Sequence, residues 1–219
     1  MSVRELLRAN GLRFLAVAST LSPEEWAAPS LCDAWSNHDV LAHLVIGYRA
    51  GLGVVAVEMA RHRGSFDDAN TELARTLAAT RCPADLLDDF GRLVDRPRGM
   101  GRYFPRTLLL GDHVTHELDI LLALDRDPDV PGEALTAVLN AQVSLPNPFV
   151  PAYRNSLGLR LTAIDADWTH GTYGPRITGR AADLVSVLGD RPSALARLSG
   201  DGLTVLSSRV LSRRTRMAG

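Results

Sequence analysis

Residues 29–43 read Pro29-Ser30-Leu31-Cys32-Asp33-Ala34-Trp35-Ser36-Asn37-His38-Asp39-Val40-Leu41-Ala42-His43. Ser36 with Asp39 three residues later is a capping box, so a helix starts at Asn37. Its apolar residues continue at helical spacing, and Gly64 stands where a helix stop belongs, which predicts one long helix from about Asn37 to Arg63. His43 lies within it, on a face that reads His43, Gly47, Ala50, Val54. Gly47 and Ala50 leave space above the ring. Trp35, just before the box, is expected to anchor the helix start. Asp39 could reach His43 one turn on, but capping is its simpler use.

The same periodicity predicts helices around this one. One covers the N-terminal twenty residues through Leu6, Leu7, Phe14 and Val17 (an amphipathic pattern with internal charge, unlike a signal peptide). A short start follows at Ser22-Pro23-Glu24-Glu25. Two more stretches, 70–80 and 84–95, are split by Cys82-Pro83. Residues 96–106 form a Gly/Pro loop. A second strong helix runs from about Thr107 to Asp125, and another ends near Val143. Pro146, Pro148 and Pro151 then change the pattern. Leu157–Thr169 alternates with period two and predicts a strand, with Arg176-Ile177-Thr178 as a short partner. Ala181–Leu188 and Pro192–Leu198 read as helical, and the basic tail Ser212–Gly219 is expected to fray. The fold class is mainly α: a helical unit over 1–145 followed by a small α+β unit over 157–219.

On the 107–125 helix, Asp112, His116 and Asp119 share a stripe at about 100° per residue, flanked by Leu108, Leu109, Ile120 and Leu122. A carboxylate and an imidazole on an apolar-flanked stripe need compensation, and a metal ion is one form of it. His113 points about 100° away from Asp112 and is a poorer companion. His43, Asp112 and His116 from two helices make a three-ligand set with room for a water or substrate, suited to Zn²⁺ or another divalent ion such as Fe²⁺. The same pattern also fits a plain i,i+4 hydrogen bond on one helix and a core histidine on the other. Asp119 is expected to orient His116 from behind. Cys32 reads as packed, with no base beside it.

Composition narrows the rest. The 219 residues carry 24 basic and 25 acidic side chains, for a net charge of −1. That leaves no basic footprint for nucleic acid, and no run approaches the roughly 20 apolar residues of a membrane helix. Every basic residue is arginine, which removes lysine Schiff-base chemistry and the P-loop, and reads as a compositional bias of the genome. Two cysteines make neither a disulfide framework nor a cysteine metal site, so a reducing, cytoplasmic setting is expected.

The Cys32…Trp35…His43 stretch resembles the second-helix signature of the mycothiol-dependent maleylpyruvate isomerase family, in the DinB-like superfamily. The family pattern has a Cys, a Trp, a capped start and a metal-binding His eight residues after the Trp. Its second half, an acidic residue, three spacers, His, then Asp three on, resembles Asp112 to Asp119. Gly158–Ala163, Asp167–Gly171 and Gly179–Leu184 resemble the small domain that follows the bundle.

The resemblance implies a DinB-like four-helix bundle binding a divalent metal, usually zinc, through His43, Asp112 and His116, with mycothiol as thiol cosubstrate. It implies isomerisation or S-transfer on a small, carboxylate-bearing electrophile gripped by an arginine of the small domain. Arg160, Arg176, Arg180, Arg191, Arg197 and Arg209 are the choices for that arginine. The chain departs from the isomerase in carrying Asp112 where the family enzyme has Glu, one methylene longer. A hydrolase using metal-bound water, with Asp119 as its only nearby base, and a non-catalytic metal- or ligand-binding module are the alternatives. The expected partner is a small molecule, not nucleic acid or a membrane, and the sequence is compatible with a homodimer.

Overall fold

In the computed structural model the described residues are 1–33, 35–144, 146–147 and 150–217. They divide into two compact units, Met1–Asp127 and Pro128–Gly219. The division falls earlier than the change of periodicity suggested. The helix before the proline cluster packs within the second unit, while Leu145 and Pro148 lie outside the described residues.

The first unit holds α1 (Val3–Ala18), α2 (Pro23–Ala27), α3 (Asn37–Arg49), α4 (Leu52–Arg61), α5 (Phe66–Thr80), α6 (Pro83–Val94) and α7 (Arg106–Ala123). Three starts are capping boxes: Ser2 with Glu5, Ser22 with Glu25, and Ser36 with Asp39. Each satisfies two backbone donors that a helix start otherwise leaves unpaired. α1 and α3 both pack on α6 and on α7, which closes a four-helix bundle, and α5 covers the outside of α3. The bundle interior is dry: Phe14, Leu41, Leu86, Phe90, Val114 and Leu118 are each 0% exposed.

The long helix expected over 37–63 is two. α3 ends at Arg49, and Ala50 leaves the helical region at ψ 132°. The cause lies far along the chain. Arg98 N–H donates to the Tyr48 carbonyl at 2.8 Å, and the turn at Gly99–Arg102 lies directly on the helix end. A Cβ on Gly99 would sit 2.2 Å from the Ala50 carbonyl oxygen, and φ there is +54°, so a glycine is required. The loop thus satisfies the Tyr48 carbonyl, which a continued helix would have used. Gly64, at φ +88°, stops α4 as expected.

The second unit holds α8 (Gly132–Ser144), α9 (Ala152–Ser156), β1 (Arg160–Ala163), β2 (Thr169–His170), β3 (Arg176–Gly179), α10 (Ala181–Leu188) and α11 (Leu203–Met217). The sheet order is β2-β1-β3. β1 pairs antiparallel with β2, Leu161 opposite His170, and parallel with β3, Leu161 opposite Ile177. The alternating stretch is therefore not one strand. Leu159, Leu161 and Ala163 do line the buried face, but Ile164 is 70% exposed and the chain folds back to start β2. Asp165 in that turn accepts from the Ala181 backbone N–H at 2.8 Å, covering the start of α10. α10 is buried along its whole length and packs on α8 and α9. Residues 192–197, expected helical, form a 3₁₀ turn. The tail expected to fray is helical to Met217, and residues 218–219 lie outside the described residues.

Candidate metal centre

The centre is built on α3 and α7, with its supports on α5 and on the loop before α3. His43 comes six residues into α3, so the capped start fixes where its ring emerges. Asp112 and His116 sit one turn apart on α7 and face α3. Gly47, one turn above His43, borders the carboxylate: a Cβ there would be in ordinary contact, 3.9 Å from Asp112 Oδ2.

His43 Nε2 and His116 Nε2 stand 3.5 and 3.6 Å from the same atom, Asp112 Oδ1. One donor atom from each of the three residues lies within 4.8 Å of the others. The far nitrogens explain the arrangement. His43 Nδ1 is 2.9 Å from Asn70 Oδ1, and His116 Nδ1 is 2.9 Å from Asp119 Oδ2. Both partner oxygens accept only, so each Nδ1 carries the proton and each Nε2 presents a lone pair. With neutral rings, two lone pairs then face a carboxylate oxygen, and either a proton on Nε2 or a bound cation balances them. Four tetrahedral donors at zinc-like bond lengths are about 3.4 Å apart, close to the separations found. The residues fit a divalent ion, and the open tetrahedral position fits a water or a thiol.

Electrostatics prepares the same state. Burial alone would raise the Asp112 carboxyl, but the neighbouring His43 and His116 outweigh it and hold it well below the usual carboxylate range. With 42% of its side chain exposed, Asp112 feels that pull partly screened by water. Burial pushes His116 down, with His43 adding to the effect and Asp119 opposing it. Positive charge at the rings, carried by a proton or by a bound divalent ion, favours the ionised carboxylate.

Trp35 does more than anchor a helix. Its ring lies 5.0 Å from His43 and 5.9 Å from His116, stacked on the latter at 29°. Its Nε1–H donates to Thr71 Oγ1 at 3.2 Å. The indole thus walls off both imidazoles. Asp39 is spent on the cap, accepting from Ser36 N–H at 2.9 Å. Asn70 was not legible: nothing in its neighbourhood on α5 marks it. Cys32, read as merely packed, has its sulfur within 4.8 Å of donor atoms of His116 and Asp119. His113 is core, in edge contact with Phe14 and tilted against Phe90.

Of the arginines weighed for a substrate carboxylate, Arg160 donates to the Gly174 carbonyl and Arg209 to those of Asn155 and Leu157. Arg191 donates to the Gly189 carbonyl, while Arg180 and Arg197 pair with Asp165 and Asp183. Arg176 has no such side-chain partner among the described residues. A cavity of about 260 Å³ in the first unit is lined by Arg4, Arg8, Arg96 and Arg106 with Asp95, and by none of the metal-ligand candidates.

Bundle and donors together define a class: helical-bundle proteins with two histidines and one carboxylate converging between bundle helices. Residues 7–107 match the mycothiol maleylpyruvate isomerase N-terminal domain family. The matched stretch contains His43 and stops before Asp112 and His116. Two crystal structures of the mycothiol-dependent maleylpyruvate isomerase, one of a histidine-to-alanine mutant, are similar to this chain. TM-scores are 0.55 and 0.56, with 14% identity and 91% of each chain covered. They share its fold, helical with a small sheet near the C-terminus. No curated protein sequence matches. Among the described residues no helix is long and apolar enough to cross a membrane.

Proposed function

We propose that the protein is a metal-dependent enzyme that uses a low-molecular-weight thiol, mycothiol, to isomerise or S-transfer to a small electrophile bearing a carboxylate. His43, Asp112 and His116 are its metal ligands. The observation that carries this is the pair of Nε2 atoms that converge on Asp112 Oδ1, 3.5 and 3.6 Å away. The family that residues 7–107 match supports the choice of thiol. When bound, a divalent ion such as Zn²⁺ polarises a sulfur ligand and favours its thiolate, the nucleophilic form.

The chain's own groups do the rest. Asp112 supplies the negative charge of the donor set. Asn70 and Asp119 keep both Nδ1 positions protonated, which fixes the rings and raises their basicity as ligands. Trp35 keeps water off the imidazole faces. A thiol bound beside these residues would add to an activated double bond as its thiolate; rotation and loss of the thiolate would give isomerisation, and uptake of a solvent proton by the carbanion would leave the thioether of S-transfer. Asp119 is hydrogen-bonded to His116 and so is poorly placed as the base a hydrolase would need. Two cysteines, too few for a disulfide framework, suit a reducing, cytoplasmic setting.

The test is a cobalt-substituted protein titrated with mycothiol, together with a maleylpyruvate isomerisation assay with and without the thiol. The reading expects one Co²⁺ per chain, a sulfur-to-cobalt charge-transfer band on adding thiol, and thiol-dependent turnover of maleylpyruvate or a related electrophile. Cobalt binding with no response to thiol would favour metal-water chemistry. No cobalt binding would leave a non-catalytic module.

A further inference from the structure

We propose a second cation seat on the opposite edge of the same imidazole: Cys32 Sγ, Asp119 carboxylate and His116 Nδ1, suited to a thiophilic divalent ion such as Cd²⁺ or Zn²⁺. This inference rests on the trio itself and not on the thiol chemistry proposed above.

Donor atoms of the three residues lie within 4.8 Å of one another. Asp119 Oδ2 already sits 2.9 Å from His116 Nδ1, so that nitrogen is the one the trio shares. Asp119 is 0% exposed and His116 is 11% exposed at its side chain, whereas Cys32 is half-buried and gives the group its open side. The thiol is held in place by its backbone. Leu31 N–H donates to the Asp119 carbonyl at 3.0 Å, tying the loop to α7. Cys32 N–H donates to Ser30 Oγ at 3.1 Å, and that hydroxyl donates to the Trp35 carbonyl at 3.0 Å. Thiolate, imidazole and carboxylate are all ordinary zinc ligands, and the thiolate selects soft or borderline ions over Mg²⁺ or Ca²⁺.

The shared ring makes the two seats rivals. An ion at Nδ1 takes the place of the proton now donated to Asp119. That proton moves to Nε2 by exchange through solvent, and the Cys32 thiol proton leaves to solvent. The neutral imidazole bound through Nδ1 then carries its one proton on Nε2, which offers no lone pair to the His43–Asp112 side. Filling the cysteine seat therefore empties the other, and excess thiophilic metal acts against the first site.

The experiment titrates metal-free, full-length protein with Cd²⁺ in the absence of any added thiol. The thiolate-to-cadmium ultraviolet band is followed, and bound Cd²⁺ is counted by equilibrium dialysis. Only Cys32 and Cys82 can give the band. We expect it in the wild type, in Cys82→Ser and in His43→Ala, and its loss in Cys32→Ser. In the unaltered protein, Cd²⁺ should protect Cys32 from alkylation, mapped by peptide, and leave the exposed Cys82 reactive; this reading needs no variant to fold. A wild type without the band, a band that follows Cys82, or an unprotected Cys32 would each overturn the proposal. Failure of the His43–Asp112–His116 reading looks different: Co²⁺ content unchanged in His43→Ala, whatever the cadmium band does.

Discussion

His113 and His116 sit three residues apart on α7 and live in different solvents. His113 is 0% exposed, wedged between Phe14 and Phe90, and neither ring nitrogen has a hydrogen-bond partner among the described residues. Burial holds its pKa down to about 3, so at neutral pH it packs as an uncharged aromatic. His116 has a carboxylate behind it at Nδ1 and another in front of Nε2. At about 100° per residue, three residues leave the two side chains about 60° apart round the helix, enough to meet different neighbours. One faces α1 and α6, the other α3. Even on the inner face the molecule keeps its charges paired: buried Glu117 accepts from Asn10 at 2.9 Å and pairs with Arg13. Identical side chains thus meet apolar rings or carboxylates according to which partners the bundle brings to them.

The sharpest break of this contrast is His43→Ala. Metal affinity should fall by more than the 10–100-fold typical of losing a ligand's supporting group, while the fold persists, because water can refill a polar neighbourhood. Metal stoichiometry and thermal midpoint on one preparation check both halves. Phe14→Ala should give the mirror image. Removing this 0%-exposed ring costs about 3–5 kcal/mol of stability, and metal stoichiometry in the protein that remains folded should not change. Denaturant unfolding with metal analysis of the folded fraction reads it.

Asp119→Asn tests the support behind His116. Affinity should drop by about 10–100-fold, since the amide can present its NH₂ to Nδ1 and favour the wrong tautomer. A competition titration against a chelator measures this.

The smallest effect is acid sensitivity from His113. Its folded pKa is lowered to about 3 from an ordinary value of 6.5, so the unfolded chain binds the proton more readily. Its contribution to stability is therefore full above pH 6.5 and declines as pH falls toward 3, by at most about 1.4 kcal/mol per pH unit. His113→Phe should flatten that part of the stability–pH curve of the metal-free protein, and an unchanged slope would assign the acid lability elsewhere.

What the sequence determined by itself was local. Capping boxes at Ser2, Ser22 and Ser36 depend on residues three apart, and the face shared by Asp112, His116 and Asp119 depends only on helical pitch. That Asp112 belongs with His116, and His113 does not, was therefore readable before any packing was known. Tertiary structure decided what depends on partners distant along the chain. The expected long helix stops at Arg49 because residues 98–102 dock on its end. The strand after Leu157 shortens because the chain folds back to pair its own start, and the turn's Asp165 holds the start of α10. Asn70, Trp35 and Cys32 acquire their places at the imidazoles only when α5 and the loop before α3 close around α7. Sequence periodicity reports which way a side chain leaves its own helix, while the partner it meets is set by how the helices pack.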